Sequence, residues 1–285
     1  MSAEHMRRHR SLSGLIRHKA AVVSHMRSQG TVLLPADGPH ASRLQQEVQR
    51  HNPGRILSFG LMEGADARVI HVTGVENGQR VKARILGETT DYVVPMLEVH
   101  APAMSAGVLL AAKVLGYSLK DCSELYSSAR NYQTSGKLYR IRKHSMTFHL
   151  YDQTHRGYFE GFLSTCQLAA QLPPDMTRRK IAVLTELYNL DDNVGHRYDL
   201  NRAARLLKKA GLDRIYTTHR FAEHAGILPD GVTWVAIEKL DQLTATLRHT
   251  LQDGDFLLLH GVWKANLSTI TEQLLQWSEG YECLY

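Results

Sequence analysis

Hydrophobic and polar positions alternate in two ways along the chain. In the first part, apolar residues at helical spacing over 11–29 lead into the short apolar segment TVLLP. A polar helix over 40–51 and the segment RILSFGL follow, and then three strand-like segments joined by the turns ENG and GET. The pattern therefore predicts strands and helices in alternation, then an antiparallel extension of the sheet, and two helices over 101–116 and 119–129.

After the polar stretch NYQTSGK the alternation becomes regular, with short apolar strands separated by amphipathic helices. The predicted strands are KLYRIRK, MTFHLYD, KIAVLTEL, DRIYTT, TWVAIE and DFLLLHG, and the predicted helices cover 158–172, 193–210, 220–225, 239–252 and 266–277. This order is typical of a mostly parallel sheet covered on both faces, with right-handed crossovers that make it Rossmann-like. We therefore predict an α/β protein with two domains, residues 1–134 and 135–285.

Composition narrows the class of protein. The chain has 285 residues, of which 43% are apolar, so two globular cores are expected rather than disorder. Its three cysteines are odd in number and far apart, which predicts no disulfide framework and a cytoplasmic location. No apolar run approaches the roughly 20 residues of a membrane span. The net charge of +6 is spread along the chain, so we expect neither a nucleic-acid nor a membrane partner.

Candidate chemistry lies just after the predicted strands, because ligands of parallel sheets bind at the carboxyl ends of the strands. Asp152 and His155 follow one strand and His260 ends another. Asp152 and His155 could orient a nucleotide or bind a metal, although a turn aspartate and an exposed histidine explain them equally well. His100, just before a helix, could contact an adenine or simply lie near the helix N-cap. By composition alone, Lys19 is a solvated residue on the polar face of its helix.

Common phosphate-binding and hydrolase motifs are missing from these residues. There is no GxxxxGK[ST], since the single Gly-Lys pair at Gly136 is followed by leucine, and there is no GxGxxG. HExxH and GxSxG are missing as well. The usual backbone cradle for phosphates is therefore not expected within this sequence.

Eight segments in order nevertheless resemble the ATP-dependent Mur ligases, closest to the branch that adds D-alanyl-D-alanine to a UDP-N-acetylmuramoyl tripeptide. Those segments are EHMRRHRSLSGLIRHKAAV, TVLLPADG, RILSFGLMEGADARV, VHAPAMSAGVLLAAKVLG, SGKLYRI, YDQTHRGYFEGF, KIAVLTELYNLDDNVGH and LLLHGVWKANLSTI. In that family ATP phosphorylates a substrate carboxylate, and an amine then attacks the acyl phosphate. The resemblance implies a truncated central ATPase-type domain followed by the family's Rossmann-like C-terminal domain.

The resemblance also assigns roles to individual residues. His5 and Lys19 have the family's spacing of a metal-binding histidine and a carbamoylated lysine, which implies Mg²⁺ together with ATP. The further positions implied are His100, Asp152 and His155 for the nucleotide and His196, His260 and Lys264 on the substrate side. The implied substrate is an amino acid or peptide, in biosynthesis of the peptidoglycan type.

Several family positions differ in this chain. Ala101 and Met104 stand where the family has two asparagines in the adenine-site helix, and His260 stands where it has a lysine. Other replacements are Lys137, Asn189, Asp191, Val262 and Trp263. The family's N-terminal domain and phosphate-loop half fall outside the resemblance.

Two interpretations follow from that pattern. The first is a ligase component active with a partner chain that supplies the phosphate loop. The alternative is a degenerate, non-catalytic relative that serves as a binding or scaffold protein, without ATP or Mg²⁺. An unrelated Rossmann-like binding domain is a third possibility. In the first two, we expect an exposed sheet edge at Leu33, Leu34, Ile56 and Leu57, covered by a partner or a second copy.

Overall fold

Two compact units make up the chain. The computed structural model describes residues 11–26, 30–75, 78–129, 136–154, 157, 159–172, 177–185, 204–218, 232–237, 239–261 and 266–284. The first unit is Met1–Pro95 with His100–Ala129, and the second is Met96–Val99 with Arg130–Tyr285. The predicted helix over 220–225 and the candidate residues His5, His155, His196 and Lys264 lie outside the described residues.

The first unit alternates helix and strand before its antiparallel part. Its elements are α1 Leu12–Ala20, β1 Thr31–Pro35, α2 Ala41–Gln49, β2 Arg55–Gly60, β3 Ala67–Val75, β4 Gly78–Ile85, β5 Glu88–Val94, α3 Ala101–Val114 and α4 Leu119–Ser128. Ser11 caps α1, because its Oγ accepts a hydrogen bond of 3.0 Å from the amide of Gly14. The helix is shorter than the predicted 11–29 and tightens into one 3₁₀ turn at Ala21–Val23, where two β-branched residues follow each other.

The strands of this unit form one sheet in the order β1-β2-β3-β4-β5. The first three strands are parallel, and β3, β4 and β5 are antiparallel, as the sequence predicts. Along β4, Val81, Ala83 and Ile85 are fully buried, and the residues between them are exposed. One face of the antiparallel part therefore belongs to the core, which includes α3, and the other faces solvent.

The expected exposed apolar edge is not found at its four predicted positions. Leu57 is buried, and Leu34 and Ile56 pack against the cluster of Ala20, Val23, Val32 and Val48. Leu33 is only partly exposed. The prediction is wrong because the end of α1, its 3₁₀ turn and α2 supply apolar cover for Leu34 and Ile56, and α3 packs against β1 and β2 as well.

The second unit is built on a mostly parallel sheet, which confirms the predicted Rossmann-like fold. Its elements are β6 Lys137–Lys143, β7 Met146–Gln153, α5 Phe159–Gln171, β8 Arg179–Leu184, α6 204–210, β9 Arg214–Thr218, β10 Thr233–Ile237, α7 Leu240–Thr250, β11 Asp255–His260, α8 Ser268–Trp277 and β12 Gly280–Cys283. The strand order is β10-β9-β8-β11-β7-β6-β12. The five strands from β10 to β7 run parallel, and β6 and β12 are antiparallel to their neighbours.

Two apolar clusters hold this sheet. One contains Phe162, Leu184 and Phe256, and the other contains Phe148, Leu257 and Leu274. The sequence pattern did not predict β12, because this four-residue edge strand is largely exposed and has no apolar alternation. Among the described residues, no helix combines the length and the apolar character needed to cross a membrane.

Candidate functional site

The carboxyl ends of three neighbouring strands in the second unit bring polar side chains to one edge. Strand β11 lies between β7 and β8, and its Leu259 pairs with Asp152 of β7. His260 pairs with Leu184, the last residue of β8. Asp152 and His260 therefore come to the same end of adjacent strands, at the edge where parallel sheets bind ligands. We call this part of the second unit the carboxyl edge.

Asp152 is buried and held by hydroxyl and amide donors. Its Oδ1 accepts hydrogen bonds from the amide and the hydroxyl of Thr154, at 2.9 and 2.7 Å. Its Oδ2 accepts a hydrogen bond of 2.9 Å from the hydroxyl of Thr271 on α8. A carboxylate has about four acceptor positions, so these three bonds fix its orientation and leave room for one more donor. Asp152 thus places a rigid carboxylate at the end of β7.

A second polar group beside Asp152 was missed by the sequence reasoning. Gln153 is buried, and its Nε2 donates to the hydroxyl of Tyr151 at 2.6 Å and to Glu98 Oε1 at 3.4 Å. Gly136 has φ of +80°, and a Cβ there would lie 2.5 Å from Glu98 Oε1. The Gly136 amide donates to the Asp152 carbonyl at 2.5 Å. Only glycine suits this position, so Gly136 serves a close chain approach and not a phosphate loop.

His260 ends β11 inside the protein. It is fully buried, its Nδ1 lies 3.2 Å from the hydroxyl of Thr165, and its ring centroid lies 5.7 Å from that of Phe162. Burial lowers the pKa of His260 to about 3, since the charged form would lose its hydration. The side chain is therefore neutral at ordinary pH, so it can exchange hydrogen bonds but brings no positive charge.

Thr185 follows β8 and lies against the end of β11. Its amide donates to the carbonyl of His260 at 3.1 Å. Both Thr185 Oγ1 and His260 Nε2 are buried, and neither has a hydrogen-bond partner among the residues that the structure describes. A Cβ at Gly261 would collide with the Thr185 side chain, so glycine is required there. The carboxyl edge therefore has hydrogen-bonding capacity that the described part of the fold does not use.

In the first unit, the structure places the two described candidates on exposed positions. Lys19 lies in the last turn of α1 with its side chain exposed. His100 occupies the N-cap position of α3 and is also exposed, and its carbonyl accepts a hydrogen bond of 3.1 Å from the Met104 amide. The described residues contain no group of three His, Cys, Asp or Glu side chains placed to hold a metal ion. Lys19 alone therefore does not make a metal centre.

Asp37 is a further residue that the sequence reasoning missed. It follows β1, and its carboxylate accepts hydrogen bonds from the amides of Leu61 and Met62, at 2.9 to 3.0 Å. Gly60 has φ of +152°, and any Cβ there would collide with that carboxylate. Asp37 thus ties the turn after β1 to the turn after β2. The turn PADGP after an apolar strand is the only sequence signal that could have indicated it.

The described residues form an α/β protein of two units. The second unit carries polar side chains at the carboxyl ends of its parallel strands. Residues 1–100 match the family model described as the Mur ligase middle domain. Over 259 residues the chain is 25% identical to the UDP-N-acetylmuramoyl-tripeptide–D-alanyl-D-alanine ligase of Synechocystis sp. (strain ATCC 27184 / PCC 6803 / Kazusa), and the match covers 90% of this chain and 52% of that ligase. The chain thus spans about half the length of this curated relative.

Solved structures agree with this relationship in fold. The MurF ligase from Thermotoga maritima in complex with ADP superposes with a TM-score of 0.75 at 15% identity, covering 97% of this chain and 60% of that chain. MurF from Acinetobacter baumannii gives a TM-score of 0.74 at 18% identity, covering 95% of this chain and 57% of that chain. The resemblance to the Mur ligases is therefore confirmed, and both units share the α/β folds of these enzymes.

Proposed function

We propose that this chain is a component of an ATP-dependent amide ligase of the Mur type. The reaction would join a substrate carboxylate, activated as an acyl phosphate, to the amine of an amino acid or peptide, in cytoplasmic biosynthesis of the peptidoglycan type. The observation that carries the proposal is the likeness of the chain, over 97% of its length, to a ligase solved with ADP. The likeness extends over both units of this chain, which supports the same proposal.

We further propose that the phosphate-binding loop comes from a partner chain or a second copy. These 285 residues contain no GxxxxGK[ST] segment, and ATP chemistry of this kind needs donors that hold the phosphates and neutralise their charge. The exposed Lys19 amine could take up CO₂ to form a carbamate, an anionic oxygen ligand suited to Mg²⁺. With no three-ligand group among the described residues, further ligands would have to come from elsewhere.

At the carboxyl edge the chain's own residues would position substrate rather than supply charge. Asp152 is the fixed carboxylate, and His260 is neutral and oriented by Thr165. The proposed substrate-side set is His196, His260 and Lys264. The roles of His100, Asp152 and His155 toward the nucleotide belong to the same proposal.

The decisive experiment combines the chain with a candidate partner that has a phosphate-binding loop and measures phosphate release from ATP. We expect turnover with both chains present, and a loss of about a hundredfold in the Lys19→Ala variant. Arg17→Ala is the matched control, since it removes another exposed cation from the last turn of α1, and it should stay within about twofold of wild type. Formate should partly restore Lys19→Ala, because it supplies the missing carboxylate oxygens.

Equal activity of the Lys19→Ala and Arg17→Ala variants would contradict the assigned role of Lys19. Carbamoylation has its own readout, since ¹³C-bicarbonate should give a carbamate carbon resonance in wild type that Lys19→Ala lacks. This measurement needs no active enzyme.

A non-catalytic scaffold is the second candidate function, and one observation favours it. Ala101 is buried and Met104 is 53% exposed, so the start of α3 offers apolar side chains where the resemblance places asparagine amides. Such side chains cannot donate hydrogen bonds to an adenine. Titration calorimetry with ATP and Mg²⁺, with and without the partner, separates the two candidates. The scaffold predicts no heat of nucleotide binding and a Lys19→Ala variant that still binds the partner.

A further inference from the structure

The solvent face of β3, β4 and β5 carries an array of positive side chains. On β4 the exposed residues Arg80, Lys82 and Arg84 alternate with the buried ones. Arg68 of β3 lies directly opposite Arg84, and His71 lies opposite Lys82 after a register shift. Directly paired residues point to the same side of a sheet, so these five side chains share one face. We call it the basic face.

The pairing within the basic face is unfavourable for stability. Arg68 and Arg84 are like charges at directly opposed positions, an arrangement that destabilises a sheet. Arg68 Nε is also buried, with no hydrogen-bond partner among the described residues. An arrangement that costs stability on a solvent-facing sheet is typical of a functional surface.

Carboxylates balance only part of this charge. Arg80 Nη1 lies 3.1 Å from Asp91 Oδ1, and Arg68 Nη1 lies 3.6 Å from Glu63 Oε1. Lys82 and Arg84 are exposed, and neither has an ion-pair or hydrogen-bond partner among the residues that the structure describes. Two cations on one strand are therefore open to a ligand.

The geometry favours a protein partner over other polyanions. Residues two apart on a strand are about 7 Å apart, which is also the spacing of alternate carboxylates on an extended acidic segment. Apart from the imidazole of His71, the described residues of this face carry no aromatic ring to stack nucleic-acid bases. Asp91 and Glu63 lie among the cations, where a uniform polyanion such as a nucleic acid or an anionic membrane would be repelled. A protein segment with carboxylates at alternate positions can place an uncharged residue opposite each of them.

We propose that the basic face is a docking surface for an acidic protein segment in extended conformation, with carboxylates at alternate positions that pair with Lys82 and Arg84. This interaction is independent of the proposed ligase activity. It relies on charge complementarity, so it should weaken as salt concentration rises.

The test uses the full chain and a labelled synthetic peptide in which Glu alternates with Thr, followed by fluorescence anisotropy at low and moderate salt. The control peptide has the same composition in two separate blocks. We expect the alternating peptide to bind more tightly, and the double variant Lys82→Glu with Arg84→Glu to lose about tenfold in affinity. The matched control, Lys208→Glu with Lys209→Glu, changes the net charge equally on exposed positions of α6 and should bind as wild type does.

The variant should fold, because Arg84→Glu replaces a repulsion with Arg68 by an attraction, which offsets the new repulsion between Lys82→Glu and the directly opposed Asp91. Its melting temperature should therefore stay close to that of wild type. Equal losses in the two double variants would overturn the proposal. So would equal binding of the two peptides. Tighter binding of a single-stranded oligonucleotide, or of phosphatidylserine vesicles, than of the alternating peptide would overturn the choice of a protein partner.

Discussion

Strands β8 and β11 differ between their two ends in how well the buried polar groups are hydrogen-bonded among the described residues. At the amino ends, Asp255 is fully buried and accepts hydrogen bonds from Arg179 Nε at 2.8 Å, from Arg179 Nη2 at 2.6 Å and from the Gln252 amide at 2.7 Å. Arg179 Nη2 also donates to the Thr250 carbonyl. At the carboxyl ends, His260 Nε2 and Thr185 Oγ1 are buried, and the described residues offer neither of them a partner.

Among the residues that the structure describes, this difference distinguishes the two ends of the sheet. A buried polar group without a partner costs stability, so few such groups persist without a reason. The two here lie at the edge where parallel sheets bind ligands, and the satisfied ion pair lies at the opposite edge. Within the described part of the chain, the amino ends therefore contribute a satisfied ion pair to the fold, and the carboxyl ends carry buried polar atoms without partners.

The largest effect is expected from breaking the amino-end pair. Asp255→Ala leaves Arg179 partly buried without its carboxylate and should lower the free energy of unfolding by about 3 kcal/mol. Urea denaturation followed by circular dichroism measures this loss. Asp253→Ala is the control, since Asp253 makes one exposed hydrogen bond to the Thr147 amide and should cost less than about 1 kcal/mol. Similar losses in both variants would refute the structural role of the amino end.

The second prediction concerns pH. Folding holds His260 neutral down to about pH 3, whereas the unfolded chain takes up a proton near pH 6.5. Above about pH 6.5, His260 therefore makes the free energy of unfolding no more dependent on pH. Between about pH 6.5 and pH 3, the free energy of unfolding falls as the pH drops, by at most about 1.4 kcal/mol per pH unit. His260→Asn should flatten this acid limb in denaturation curves at a series of pH values. His249→Asn, which removes a partly exposed histidine from the same unit, should retain it.

The smallest changes in stability are expected when two threonine hydroxyls at the carboxyl edge are removed, one with a hydrogen-bond partner among the described residues and one without. Thr271→Val removes the hydrogen bond to Asp152 and should destabilise the protein by about 1 kcal/mol. Thr185→Val removes a hydroxyl for which the described residues offer no partner, and it should be neutral or stabilising by up to about 1 kcal/mol. Thermal melting of the two isosteric variants decides the point. If Thr185→Val destabilises as much as Thr271→Val, the hydroxyl of Thr185 is not spare capacity.

Sequence reasoning found the candidate residues that directly follow strands. Asp152 and His260 were located by this rule, because strand ends can be recognised from apolar runs bounded by polar residues. Gly136, Glu98 and Thr185 were not found. Their significance depends on contacts between segments far apart in the chain, such as the Glu98 carboxylate beside Gly136, and no local pattern encodes such contacts.

The sequence by itself determined the element types, the change from an antiparallel to a parallel sheet and the resemblance to the Mur ligases, because periodicity, turn residues and motif order are local properties. Only the tertiary structure decided which strands are neighbours, that the apolar residues of β1 and β2 are covered, and that the cations of β3 and β4 share a face. It also decided that His260 is buried and neutral. Burial, pKa and cross-strand repulsion arise from groups brought together by the fold, so they exist only in three dimensions.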